Sequence, residues 1–189
     1  IGLESILVKI TGESQPLKGL VHPSPESFVA DFSYVGYVDP LQIKSANSGL
    51  GISFNYDPSE VGKLIQKYRL KIWPADRHFL LAWIVIEDPV EGIRFMTQEE
   101  FPETTEALRR LMDNRGAPLV FPLLDLKDTK NFFEVDVWNL DQKKLSIASD
   151  RYTAKYWVAV RLFQGSSGQW NASWDFSANN SIELKHTMA

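Results

Sequence analysis

Two apolar runs in this chain end in acids. "FLLAWIVIED" closes on Glu87 and Asp88, and "GAPLVFPLLDLKD", residues 116–128, carries Asp125 and Asp128 at its end. If the two runs are parallel neighbouring strands, all four carboxylates lie at one carboxyl edge, where open α/β sheets usually bind ligands. Such a cluster could hold Mg²⁺ or Ca²⁺, hard cations that take several oxygens at roughly 2.0–2.6 Å, or could serve a hydrolase. The plainer reading is that acids solvate strand ends and start turns, and Asp88 stands before Pro89 as a turn initiator does. No glycine-rich phosphate cradle accompanies them. The two readings differ in geometry. A site requires Asp125 and Asp128 to converge with Glu87 or Asp88; a turn lets them diverge, with Asp125 accepting N–H bonds from the loop that follows. Divergence is expected.

Other reactive groupings are few. His22, His78 and His186 have no metal-ligand spacing, and no serine sits in a G-x-S-x-G elbow. The chain has no cysteine, which excludes disulfides, thiolate metal sites and cysteine nucleophiles. Trp170, Ala172, Trp174 and Phe176 alternate with Asn171, Ser173 and Asp175. One strand face is therefore aromatic, and it could stack on a sugar or peptide. A core face packed over Ile147 and Ala148 is the stronger expectation. The sequence points to no cofactor, no metal and no catalytic residue.

Composition sets the frame for these groups. A chain of 189 residues with 44% hydrophobic and 23% charged residues can fill one large core or two small ones. Its formal net charge of -4, with basic residues scattered along it, excludes general attraction to nucleic acid. No stretch reaches the ~20 apolar residues that a spanning helix needs.

The elements follow from periodicity. Ile1, Leu3, Ile6, Leu7 and Ile10 repeat at helical spacing and Gly12 supplies a stop, so residue 1 falls inside an element and something upstream is expected to be missing. Phe28, Ala30, Phe32 and Tyr34, then Leu50, Ile52, Phe54 and Tyr56, alternate as strands with one buried face. "DPSE" offers Asp57 as N-cap and Pro58 at the first helical position, ahead of Val61, Leu64, Ile65 and Tyr68. With "LKIWP" as a short strand, residues 1–75 have a ferredoxin-like order lacking its first strand.

Residues 79–189 read as a second α/β unit with a mixed sheet. "FLLAWIVIED" is apolar on both faces, as a central strand is. A helix over about 102–115 precedes the strand "APLVFPLLDL", which Pro118 and Pro122 confine to a short stretch or an edge. Asn139 and Gln142 cap a helix through Tyr152, and "KYWVAVRLF" and "QWNASWDFS" form a hairpin across "QGSSG". Trp83, Ile84, Leu119, Phe121 and Val158 are expected in the core. His186 is expected in a fraying tail.

"RGAPLVFPLLDLKD", "DVW", "ASDRY" and the two tryptophans of "WNASW" resemble signature stretches of a bacterial family, domain of unknown function 2066, and "ILVKITG" is similar to it more diffusely. The second unit is also similar, more distantly, to the amino-terminal α/β domain of TolB and to domains of curli-secretion and penicillin-binding-protein-activator lipoproteins. The resemblance implies export, a periplasmic or envelope-associated location and a non-catalytic role in contact with another envelope protein. It implies no site. The expectation is an exported interaction module; the alternative is a carboxylate-dependent ligand- or metal-binding protein.

Overall fold

The computed structural model describes residues 2–37, 49–178 and 181–188, with the backbone alone for 37 and 181–188. It is a mixed α/β protein with two sheets, one antiparallel and one mixed. Contacts divide it into two units, Ile1–Arg77 with Arg110–Gly116, and His78–Arg109 with Ala117–Ala189.

In the first unit, α1 (Gly2–Thr11) ends at Gly12, whose φ of 75° is the left-handed stop the sequence calls for. Strands β1 (Val29–Tyr37) and β2 (Gly49–Tyr56) pair antiparallel, with Phe32 opposite Phe54 and Tyr34 opposite Ile52. Helix α2 (Pro58–Tyr68) starts where expected: the Asp57 carboxylate accepts the Ser59 N–H at 2.8 Å. Val61, Leu64 and Ile65 of α2 join Leu3 and Leu7 of α1 in a small core with Leu17 and Phe28.

Two expectations fail here. Residues 70–73 are irregular rather than a strand; after Arg69, left-handed at φ 52°, the Trp73 N–H makes a single bond to the Ile10 carbonyl at 2.8 Å. The alternating face of β1 and β2 is also not buried. The helical core packs against Tyr56 and reaches little further, so Phe32, Tyr34, Leu50, Ile52 and Phe54 stay exposed.

The second unit is built on β3 (Leu80–Asp88), which pairs parallel with β6 (Tyr156–Gln164) and antiparallel with β4 (Gly92–Phe95). Beyond β6 come β7 (Trp170–Ala178) and β8 (Ser181–Met188), both antiparallel. His186 therefore stands in a strand, opposite Trp174, and not in a tail. Strand β4 was not anticipated; Asp88, Pro89 and Gly92 (φ 78°) make its turn. Helix α3 (Pro102–Asn114) ends at Gly116, and β5 is two residues, Leu119–Val120, as two prolines require.

Short α4 (Glu134–Trp138) and α5 (Gln142–Asp150) supply Val137 and Leu145 to a core with Leu81, Trp83, Val85, Trp157 and Ala159. The cap of α5 is Asp141, which accepts the Lys144 N–H at 3.1 Å, rather than Asn139. Trp83, Ile84, Leu119 and Phe121 are buried as expected. Val158 is half-buried, because Trp157 and Ala159 take the core face of β6 and parity turns Val158 to the other.

Candidate functional site

The partners of the four acids decide what they can do. Strand β5 pairs with β3 at Leu80↔Leu119 and Leu81↔Val120, the beginning of β3. Glu87 and Asp88 lie at the far end of β3, and Asp125 and Asp128 follow the end of β5. Each pair has its own partner among the described residues: Asp88 meets Arg94, and Asp125 and Asp128 meet Arg151. Among the described residues no group of three or more His, Cys, Asp or Glu could hold a metal ion.

Asp88 is a turn carboxylate. Its Oδ1 accepts the N–H groups of Val90 at 2.8 Å and Glu91 at 2.9 Å, and Arg94 stands 3.6 Å from its Oδ2. The Glu91 and Val90 amides, with a smaller contribution from Arg94, lower its pKa. Glu87 is exposed on β3, opposite Ile93.

Asp125 and Asp128 do converge, but on a guanidinium. Arg151, just past α5, donates from Nη1 and Nη2 to the two oxygens of Asp125 at 2.6 and 2.7 Å, and from Nη1 to Asp128 at 2.6 Å. Asp125 also accepts the Lys127 N–H at 2.9 Å, the loop capping the sequence suggests. Arg151, ahead of the backbone amides, holds the Asp125 carboxyl well below the usual carboxylate range. Asp128 is buried, and its second oxygen accepts the Tyr152 hydroxyl and the Leu124 N–H, the latter at 3.0 Å. Burial, then the bond to Asp128, pushes Tyr152 up to about 12. A bidentate arginine is the strong partner for a carboxylate. The cation this pair would recruit is thus supplied by the chain itself.

Arg151 and Tyr152 were missed as partners. "ASDRY" is visible in the sequence, yet nothing in a separation of 23 and 26 residues says which acids it meets. A cleft of about 280 Å³ beside this group is lined by Lys127, Asp128, Phe132, Lys144 and Arg151. Lys144 is also paired, to Asp136 at 2.6 Å. Counted with their partners Asp125 and Asp136, the lining charges Lys127, Lys144, Arg151 and Asp128 balance, which leaves little net attraction to an ion of either sign.

The aromatic strand is turned the other way from expectation. Ser173, Asp175 and Ser177 are the buried residues of β7, while Trp170 is exposed and Trp174 and Phe176 are half-buried. The register places Ser177 beside Trp157 and Asp175 beside Ala159, both on the core face. Helix α5 meets that polar row with polar groups of its own: Gln142 Nε2 donates to Asp175 at 3.1 Å, and Ser149 accepts the Trp83 indole N–H at 2.9 Å. Ile147 points outward instead. The Gln142 bond satisfies one oxygen, Oδ2, of the buried Asp175.

The largest chemical anomaly lies in the first unit. On one face of the β1–β2 ribbon Phe32 is 57% exposed, Tyr34 64%, Leu50 78%, Ile52 50% and Phe54 43%. Phe32 and Phe54 are cross-strand neighbours with centroids 6.4 Å apart. The two strands contain one charged residue, Asp31, so the ribbon lacks the lysines that usually blunt an open edge. Contiguous apolar surfaces are uncommon on monomeric proteins.

Comparison with known proteins adds little. No protein-family model and no curated protein matches the chain, so the likeness to domain of unknown function 2066 gains no support there. A solved structure similar to it is the LpoB C-terminal domain from Salmonella enterica, with 12% identity over 67% of this chain and 89% of that chain, at a TM-score of 0.34. At that score the overlap is too loose to transfer a function. Among the described residues no helix is long and apolar enough to cross a membrane.

Proposed function

We propose that this chain is a non-catalytic protein-interaction module of the bacterial envelope, in which the unit that carries β1 and β2 makes the contact. The observation that carries the interaction reading is the exposed apolar row Phe32, Tyr34, Leu50, Ile52 and Phe54. Leaving five large apolar side chains in water is unfavourable by the ~25 cal/mol that each Å² gains on burial, and a partner recovers that energy. Export and envelope location rest on the family resemblance alone. Glu87, Asp88, Asp125 and Asp128 are structural in this reading, and Trp170 and Trp174 are sheet-face residues.

The test is photo-crosslinking in the native host from a probe at Tyr34, compared with one at Ser33 on the opposite face. One identified protein should crosslink from Tyr34, not from Ser33, and the product should be lost with Ile52→Lys. Equal products from both faces would refute the assignment. The carboxylate-dependent alternative is checked by a thermal-shift screen with Mg²⁺, Ca²⁺, nucleotides and sugars. A flat result is expected, and stabilisation by several degrees from one class would favour that alternative.

A further inference from the structure

Strand β1 has an open edge: among the described residues it pairs with β2 alone. A cavity of about 580 Å³ lies against the start of β1, lined by Glu26, Val29, Ala30, Asp31, Phe32 and Phe54. Four consecutive β1 residues line it, so side chains from both faces of the strand border it. Among the described residues its lining includes two phenylalanines, and its charged groups are both acids. The Asp31 carboxylate is bonded to the neutral amide of Asn55 at 2.6 Å, and Glu26 accepts the Ser24 hydroxyl, so both keep their charge uncompensated by these partners.

From this juxtaposition we infer that β1 takes an extended segment of another polypeptide by strand addition, a segment with apolar side chains at alternate positions and a lysine or arginine at the end that meets Glu26 and Asp31. The inference rests on the contact-face reading above and names its partner's chemistry. Backbone pairing supplies affinity in this mode, and the alternate side chains supply specificity. The apolar set lies against the row of Phe32 and Tyr34, because strand side chains alternate across the sheet. Charge selects against two other occupants. A second copy pairing through the same strands brings no cation, since neither β1 nor β2 contains lysine or arginine. An anionic lipid surface is repelled by the two acids.

The experiment uses the full chain and a fluorescent peptide of two lysines followed by three Val-Thr pairs, read by anisotropy. Binding is expected, and it should weaken roughly three- to tenfold when the lysines are replaced by glutamates, the size of two exposed ion pairs. The double variant Glu26→Lys with Asp31→Lys should reverse that preference. Two further peptides carry N-methyl groups on alternate amides, one in each register. A strand uses the amides of one edge, so one register should abolish binding and the other should leave it intact.

Equal binding of both N-methylated peptides would overturn strand addition, as would indifference to the charge swap. Sedimentation with vesicles of phosphatidylglycerol and phosphatidylethanolamine, lost in Tyr34→Ser with Ile52→Ser, would replace the peptide by a membrane surface. Dimerisation lost in the same variant would replace it by a second copy. If no peptide binds while Tyr34 still crosslinks one protein, strand addition is wrong and the contact face stands. If both fail, the contact face falls as well.

Discussion

Replacing Trp83 tests how the second unit is held together. Its side chain is fully buried, with ring centroids 4.7 Å from Phe132 and 5.9 Å from Tyr152, and its indole N–H is bonded to Ser149. Trp83→Ala removes the ring and leaves a cavity, at a cost of about 3–5 kcal/mol for an aromatic-to-alanine change in a core. For a chain of 189 residues that lowers Tm by roughly 6–20 °C, at about 2–4 °C per kcal/mol. Ser149→Ala isolates the polar part: it strands a buried N–H and should cost about 1–3 kcal/mol. Trp83→Phe removes the donor instead. The double variant Trp83→Phe with Ser149→Ala should then be more stable than the sum of the singles predicts, because the second substitution breaks no bond that the first left intact. Urea unfolding and thermal melts followed by circular dichroism give the stabilities and Tm values of all four variants. A Tm shift under about 3 °C for Trp83→Ala, or strict additivity in the cycle, would refute the packing argument.

Other outcomes concern the charged group and the ribbon. Arg151→Gln should lower Tm at neutral pH. Asp125 has a depressed folded pKa, so its contribution is present above the ordinary value of about 3.9 and fades as pH falls toward the lower folded value; the gap between wild type and variant should shrink across that acid range in pH-dependent melts. Tyr152 has a raised pKa, so the stability it contributes is full below about pH 10 and is lost as pH rises toward about 12. Alkaline unfolding of Tyr152→Phe should accordingly show a shallower slope over that window. Tyr34→Ser and Leu50→Ser should each change stability by less than about 0.5 kcal/mol in urea melts, as exposed positions do; a loss above about 2 kcal/mol would mean that the row is core.

Local chemistry in the sequence determined the helices and most strands. Asp57 with Pro58, Gly12 and Gly116 fix helix ends through caps and left-handed stops that need no tertiary partner. Period-two patterning located β1, β2, β6 and β7, and two prolines limited β5 to Leu119–Val120. The capping role of Asp125 was readable too, because an acid accepts amides from the residues just after it.

Which face of a strand is buried was decided elsewhere. Alternation shows that β7 has two unlike faces, but the register against β6 puts Ser173, Asp175 and Ser177 toward the core and leaves Trp170 in water. The same holds for β1 and β2, whose apolar row extends past a helical core too small to cover it. The pairing of Asp125 and Asp128 with Arg151 was equally out of reach. Charges attract through space, and only the fold brings residues 125, 128 and 151 within hydrogen-bond distance. A sequence states which groups are present and what each needs locally; the tertiary structure decides which of them meet and which face water.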